Sequence, residues 1–501
     1  MPLSTIFDVA VLPPRPSDFM LLQLPVELLL KISELLNHGS QKNLRLVCKS
    51  LNDAAIELVF ATFSITFTED ALLSDRAMLK ALAMHTTDIW RYVKVLRLVQ
   101  SPRLVSPFAN GKMPQKSIRD VASGLYKAIA SLENITTVDW FSVKPVDDTI
   151  IGAVISSICR LPSLRTFILY MANRMRSQLP RFHLKNLTSL DLSFSGPSWD
   201  EFLRDSLPGI LENCPDLSFL SLADHTAGPA TTLGSLFQNL RRPLRLESLV
   251  LCKIRVPPSI ILVPHFQFLT VLGVAPSGMI PPKFWSGLHN VHLRSLNIDD
   301  VNAELLEYLL SYTGVEEFRF QVPEDNAEYD ELGTKFFSQV LPHHSATLRI
   351  LNIRPRFEGM WSFQESAMLP ILQCRNLVSL WVSLRFSDIS DPTGPGVVAY
   401  LLHSLKLLPD VSTLYLECPM SFSPRFPPTT DSRWKGKHML GQAIEAVNTI
   451  PNQDPYRALQ IRVEPFGGKY RAHWNVESGF SAFYAETHDT DGITVRIPLH
   501  I

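Results

Sequence analysis

Thirteen times between residues 96 and 463 the chain repeats an apolar–variable–apolar triplet, and no other feature restricts its folding options as tightly. The series runs Leu96-Arg97-Leu98, Val138-Asp139-Trp140, Phe167-Ile168-Leu169, Leu190-Asp191-Leu192, Leu220-Ser221-Leu222, Leu249-Val250-Leu251, Leu272-Gly273-Val274, Leu296-Asn297-Ile298, Phe318-Arg319-Phe320, Leu351-Asn352-Ile353, Leu380-Trp381-Val382, Leu414-Tyr415-Leu416 and Ile461-Arg462-Val463. From residue 138 to residue 414 the triplets start 22 to 34 residues apart. Most have a further apolar residue three positions earlier, such as Leu187, Leu217, Leu269 and Leu377. A period of two inside each triplet is that of a strand with one buried face. Helical patterns lie between the triplets, over Ile118–Leu132, Thr149–Arg160, Glu201–Asn213, Ala303–Tyr312, Lys335–His343 and Val397–Leu407. Alternating strand and helix implies an α/β fold with a parallel sheet on one side and helices on the other. No single unit can bury its own apolar face, so stacking must supply the core.

The spaced LxxLxL strands resemble a leucine-rich repeat, here irregular and about twelve or thirteen units long. The resemblance implies a solenoid with the sheet on its concave side and the helices on its convex side. The middle residue of each triplet then faces the concave surface. Strand-to-helix connections are longer than helix-to-strand ones, as at Pro276–Lys283, Pro323–Tyr329, Arg354–Phe363 and Pro419–Lys437, so insertions gather on one rim. Acidic middle residues fall early, whereas Arg and aromatic residues dominate later. Arg319, Arg354, Trp381 and Tyr415 are the candidate substrate-binding residues, a patch suited to an acidic or phosphorylated segment.

The stretch Leu24–Phe60 follows a different rule. On a helical wheel Pro25, Leu28, Leu29, Ile32, Leu35 and Leu36 form one stripe, and Val26 and Leu30 widen it to roughly 220°. A short helix on a single core needs less, and the surplus calls for a second surface. Pro25 suits the first helical position, Asn37-His38-Gly39 ends the helix, and Ser40 can cap the next. That second segment carries Leu44, Val47, Cys48, Leu51, Ala55, Leu58 and Val59 at helical spacing. Leu24-Pro25-x-Glu27-Leu28-Leu29-x-x-Ile32, followed by Leu44-x-x-Val47-Cys48-Lys49, resembles an F-box. The family usually has Trp where Leu51 stands, mostly an internal packing position. The resemblance covers under a tenth of the chain. It implies three short helices docking on a Skp-type adaptor, and through it on a cullin scaffold. Carried over by position, the adaptor-binding residues are Leu24, Pro25, Val26, Leu28, Leu29, Ile32, Leu35, Leu46, Val47 and Cys48. F-boxes followed by such irregular repeats resemble proteins of filamentous fungi.

The expected organisation is a lead-in over 1–20, the F-box over 21–65, repeats over 66–464 and a C-terminal cap over 465–501. Phe60–Phe67 is expected as an extended connection and Ala71–Tyr92 as a helix. A formal net charge of −1, from 47 basic and 48 acidic residues, gives no footprint for nucleic acid or an anionic membrane. No apolar run is long enough to span a bilayer, and Met1–Pro16 does not read as a signal peptide. Six dispersed cysteines without a CxxC pair point to no metal and no disulfides; at repeat corners they read as small buried hydrophobes. His343-His344 reads as a helix-end cation pair, and Asp489-Thr490-Asp491-Gly492 as a turn. No phosphate-binding, dinucleotide, zincin or hydrolase motif occurs, so neither catalysis nor a cofactor is expected. The function implied is a cytoplasmic or nuclear, non-catalytic substrate receptor of a cullin-RING ubiquitin ligase, acting on an unknown protein substrate. The alternative is a repeat scaffold whose F-box serves a complex not linked to degradation.

Overall fold

The computed structural model describes residues 24–67, 75–100, 115–142, 147–171, 182–194, 198–225, 231–232, 234–238, 240–276, 278–281, 283–322, 327–385, 388, 396–417, 419 and four short strands beyond residue 459. The expected lead-in, Cys418 and the 489–492 turn lie outside them. The chain divides into two compact units, 1–171 and 172–501.

The first unit opens with three helices, α1 (Val26–Glu34), α2 (His38–Leu44) and α3 (Lys49–Phe60). Asn37, not Ser40, caps α2: its side chain accepts from the Ser40 N–H at 2.9 Å. Cys48 is extended and breaks the second segment into two helices. One residue after α3 the chain enters β1 (Thr62–Thr66), which pairs in parallel with β2 (Val95–Gln100). The expected connection is therefore the first strand of the sheet. Phe63-Ser64-Ile65 sits in register with Leu96-Arg97-Leu98, a fourteenth triplet with Phe in the leucine position. β3 (Thr137–Ser142) and β4 (Thr166–Met171) continue the ladder, again triplet against triplet.

The helix expected over Ala71–Tyr92 is shorter. It spans Arg76–Ala83, and a 3-10 turn follows at Asp88–Arg91. His85 takes φ 52°, its N–H donates to Leu82 O, and the Thr86 N–H donates to Ala81 O. That pair of bonds is a Schellman motif with His in the place usually held by Gly, which hid the stop signal.

In the second unit ten strands run parallel in sequence order: β5 (Ser189–Phe194), β6 (Phe219–Asp224), β7 (Ser248–Cys252), β8 (Val271–Ala275), β9 (Ser295–Ile298), β10 (Glu317–Val322), β11 (Ile350–Pro355), β12 (Ser379–Ser383), β13 (Thr413–Glu417) and β14 (Gln460–Glu464). Every triplet pairs with the next at the same position, as in Leu351, Leu380 and Leu414. In β10 to β13 the apolar residues flanking the variable position are buried, and the middle residue lies on the open face. After β14 the pattern changes to antiparallel, with β15 (Arg471–Trp474), β16 (Tyr484–His488) and β17 (Thr494–Pro498). Antiparallel pairing uses the open hydrogen-bonding edge of β14 without another helical crossover.

The helix expected at Lys335–His343 begins earlier, at Ala327, and runs through a π-helical turn at Phe336–Val340. Its first turns are polar and contain Gly333, so sequence periodicity misses them. Gly333 is needed for packing: a Cβ there would lie 3.1 Å from the Met360 carbonyl carbon and 3.2 Å from Trp361 Cδ1. Beneath this contact Phe336 meets Phe318, Phe320 and Trp361 with ring centroids 5.3 to 5.5 Å apart.

His344 is not a helix-end cation. It is buried, its Nδ1 accepts from the Val315 N–H at 3.3 Å, and its Nε2 lies 3.0 Å from Leu309 O. These bonds require the neutral ring with hydrogen on Nε2, and burial lowers its pKa to about 4. His265 repeats the device, accepting from the Leu244 N–H at 3.0 Å, with burial again lowering its pKa. Cys214 and Cys374 are buried corner residues, and burial pushes their thiols up to about 11 and about 12. Cys48, Cys159 and Cys252 are half-buried, and all five described cysteines are unbridged.

Candidate functional sites

Two surfaces draw together the residues singled out in the sequence. The first is the helical hairpin of the first unit. Leu29, Leu51 and Ala54 make a small buried cluster, with Leu24, Leu44 and Cys48 packed on it. Leu51 thus fills the internal position expected of it. Ser33 Oγ donates to Leu29 O at 2.7 Å, and the buried Gln41 donates from Nε2 to Ser33 O at 3.0 Å. This polar stitch between α1 and α2 was missed in the sequence, where Ser33 and Gln41 look like surface residues.

The remaining apolar residues point outward. Leu35 is 87% exposed, Leu46 78%, Val47 69% and Val26 58%; Leu28, Leu30 and Ile32 are also exposed. These seven make up most of the thirteen exposed large hydrophobics among the described residues. Pro25 is exposed as well, and its carbonyl accepts from the Leu28 and Leu29 N–H groups at 3.0 and 3.1 Å. Single exposed apolar residues are ordinary, but a concentration in one short hairpin marks an interaction surface. Leu29 is only 4% exposed, so it supports this surface from beneath.

The second surface is the open face of β10 to β13. Register places Asn352, Trp381 and Tyr415 side by side. The Trp381 and Tyr415 rings stack at 4.4 Å with a 12° interplanar angle, and the Arg354 guanidinium lies 4.4 Å over Trp381. Arg354 Nε also donates to both Glu417 oxygens, at 3.2 and 3.4 Å. Arg319 stands on β10, opposite Asn352, and is paired with Glu317. Three of the four candidate residues therefore form one stack, and both arginines carry an acidic partner. Glu417 was missed, although the alternation that selected Arg354 two residues after Asn352 also selects Glu417 two residues after Tyr415.

Among the described residues no group of three or more His, Cys, Asp or Glu could hold a metal ion. No described helix is long and apolar enough to cross a membrane.

No curated protein matches the sequence. Among solved structures, a chain from the crystal structure of the Rad7 and Elc1 complex in yeast aligns with a TM-score of 0.39 and 13% identity, covering 76% of this chain and 92% of that one. Residues 21–60 match the family model of the F-box domain, the span that holds the three helices and their outward apolar residues, and so the N-terminal region of this chain is an F-box domain.

Proposed function

We propose that this chain is a substrate-recruiting subunit of a cullin-RING ubiquitin ligase, active in the cytoplasm or nucleus and without catalysis of its own. The F-box docks a Skp-type adaptor, and the strand–helix array, an irregular leucine-rich-repeat solenoid, presents a protein substrate. The observation that carries this reading is the outward apolar surface of α1 and the α2–α3 junction within a matched F-box. Val26, Leu28, Ile32, Leu35, Leu46 and Val47 contact the adaptor; Leu24, Leu29 and Cys48 hold them in place from the small core. Burying several such side chains contributes roughly 1.5–3 kcal/mol each.

Co-purification with the Skp-type adaptor tests the reading. Leu46→Asp with Val47→Asp should abolish adaptor capture while leaving thermal unfolding unchanged, because both side chains face solvent in the free chain. Equal capture by wild type and variant would remove the docking role. Association with a cullin, together with ubiquitin-dependent turnover of a partner, separates this reading from a scaffold not linked to degradation.

A further inference from the structure

We propose that the open face of β11 and β12, where it meets the 356–363 loop, binds an acidic segment of a partner protein through Arg356 and Arg385. This names the substrate class of the substrate-recruiting reading and rests on it.

Strand alternation puts both side chains on that face. Ile353 and Pro355 are buried, and the Arg356 N–H donates to Val322 O at 2.8 Å. The extended path of β11 therefore continues one residue past the strand, with Asn352, Arg354 and Arg356 on one side. On β12, Val382 and Leu384 are buried, and the Leu384 N–H donates to Glu417 O at 2.8 Å. Trp381, Ser383 and Arg385 then alternate onto the open side.

Charge balance separates these two arginines from the others. Arg319 is paired with Glu317, and Arg354 with Glu417. Arg356 and Arg385 have no carboxylate partner among the described residues, although Glu358 and Asp388 follow them closely in the chain. The face thus carries two uncompensated positive charges, and a segment with carboxylates supplies the missing ones.

Donor geometry fits carboxylates. The Arg356 guanidinium lies 5.5 Å from the centroid of the Phe357 ring, and its N–H groups make no hydrogen bond among the described residues. Arg385 donates from Nε and Nη2 to Gly359 O, at 3.2 and 3.0 Å. A guanidinium has five N–H donors. Nη1 and the second Nη2 hydrogen, which has only the weak acceptor Met360 Sδ at 3.4 Å, remain as an end-on fork. Such forks match the two oxygens of a carboxylate. The two guanidiniums are held at different points of the loop, one by Phe357 and the other by Gly359. That arrangement suits two carboxylates in succession rather than one phosphoryl group, which needs its donors to converge.

The floor beside them also lacks partners. Trp381 Nε1 and Ser383 Oγ, in line with Arg385 along β12, are buried and have no hydrogen-bond partner, and the same holds for Asn352 Oδ1. Unpaired buried groups are unfavourable, and a ligand that brings carboxylate oxygens and main-chain N–H groups removes the penalty. Arg354 lies 4.4 Å over Trp381, so docking includes a sideways shift of its side chain.

The loop is fixed beforehand. Asp330 Oδ1 accepts from the Met360 N–H at 2.8 Å, Trp361 Nε1 donates to Tyr329 O at 2.7 Å, and the Phe363 N–H donates to Ser383 O at 2.7 Å. A loop held by these bonds loses little freedom when a segment binds beside it.

The test uses the full chain captured through its Skp-type adaptor and a random linear peptide library displayed on phage. Selected sequences are remade as fluorescein-labelled peptides, with versions in which Asp and Glu become Asn and Gln and versions carrying a single phosphoserine instead. Binding is read by anisotropy at low and high salt. Selected peptides should hold paired carboxylates, weaken as salt rises, and lose on the order of tenfold on amide replacement. Arg356→Gln should also weaken them on the order of tenfold at unchanged melting temperature, because its guanidinium bonds nothing else among the described residues. Arg241→Gln, at an 89% exposed side chain elsewhere in the second unit, should change nothing. Selection without acidic enrichment, indifference to amide replacement, full binding by Arg356→Gln, an equal loss with Arg241→Gln, or tighter binding of the single phosphoserine than of paired carboxylates would each overturn the proposal. Failure of adaptor capture is a separate result that strikes the ligase reading, and the library is then applied to chain held by a terminal tag.

Discussion

The F-box and the β10–β13 face treat surface side chains in opposite ways. The F-box buries few large side chains and turns six of its leucines and valines outward, so its surface is unsatisfied in the free chain. The sheet face rests on a buried apolar layer and pairs two of its arginines internally, Arg319 with Glu317 and Arg354 with Glu417. One surface is open to an apolar partner by excess of apolar area. The other holds two of its arginines in internal ion pairs. The contrast follows from size: about forty residues cannot enclose a sufficient core, whereas each strand–helix unit borrows core from two neighbours.

The sharpest way to break the comparison is to substitute apolar residues on both sides of it. Phe318→Ala, at a fully buried ring 5.5 Å from Phe336, should destabilise the second unit by about 3–5 kcal/mol. Leu35→Asp, at an 87% exposed site, should leave thermal unfolding in place and reduce adaptor capture. A large loss of stability from Leu35→Asp would mean that the hairpin surface is covered within the free chain.

A titration is next in size. His344 is neutral when folded, with its pKa lowered to about 4 from 6.5. Between those values the unfolded chain binds a proton that the folded chain refuses, so stability rises with pH across the window. Acidifying from pH 6.5 to 4 should therefore cost about 3 kcal/mol from this ring, with nothing lost above pH 6.5. Thermal unfolding followed across that range, compared with His344→Gln, isolates the contribution. His265 acts in the same direction. The F-box has no buried histidine, and adaptor capture should be much less sensitive over the same range.

Gly359→Ala comes third. Its added Cβ would sit 2.7 Å from Asp330 Oδ1, displacing the carboxylate that holds the Met360 N–H. About 1–3 kcal/mol of destabilisation is expected, and faster amide exchange at Met360 would show that the loop has been released. The smallest effect belongs to Arg91→Ala. Its 3.5 Å pair with Asp88 joins two well-exposed side chains, and removal should change stability by under about 0.5 kcal/mol in a thermal melt.

Much of the architecture could be read from particular residues. The Leu-x-Leu alternation placed all thirteen triplets in strands, because a strand with one buried face leaves a period of two in any context. It passed over Phe63-Ser64-Ile65, which follows the last F-box helix after a single residue and so read as a connection rather than as a repeat. It also passed over the start of the helix at Ala327, where packing against Met360 and Trp361 demands Gly333 and weakens the periodic signal. The F-box was legible because its excess of apolar residues has no use within so short a hairpin. Arg354, Trp381 and Tyr415 were recognisable as members of one face by alternation alone.

What those residues do to one another was not legible. Their partners come from strands tens of residues away, and separation in the chain carries no record of charge pairing. His343-His344 looked like two cations at a helix end; only the enclosure of His344 by Val315 and Leu309 makes it a neutral staple. Arg354 looked like a free cation until the fold set Glu417 beside it. Periodicity and composition thus determine which face a side chain takes, since both are properties of the local chain. Charge state and hydrogen-bond partner belong to the tertiary structure, because desolvation and Coulomb attraction depend on distance in space.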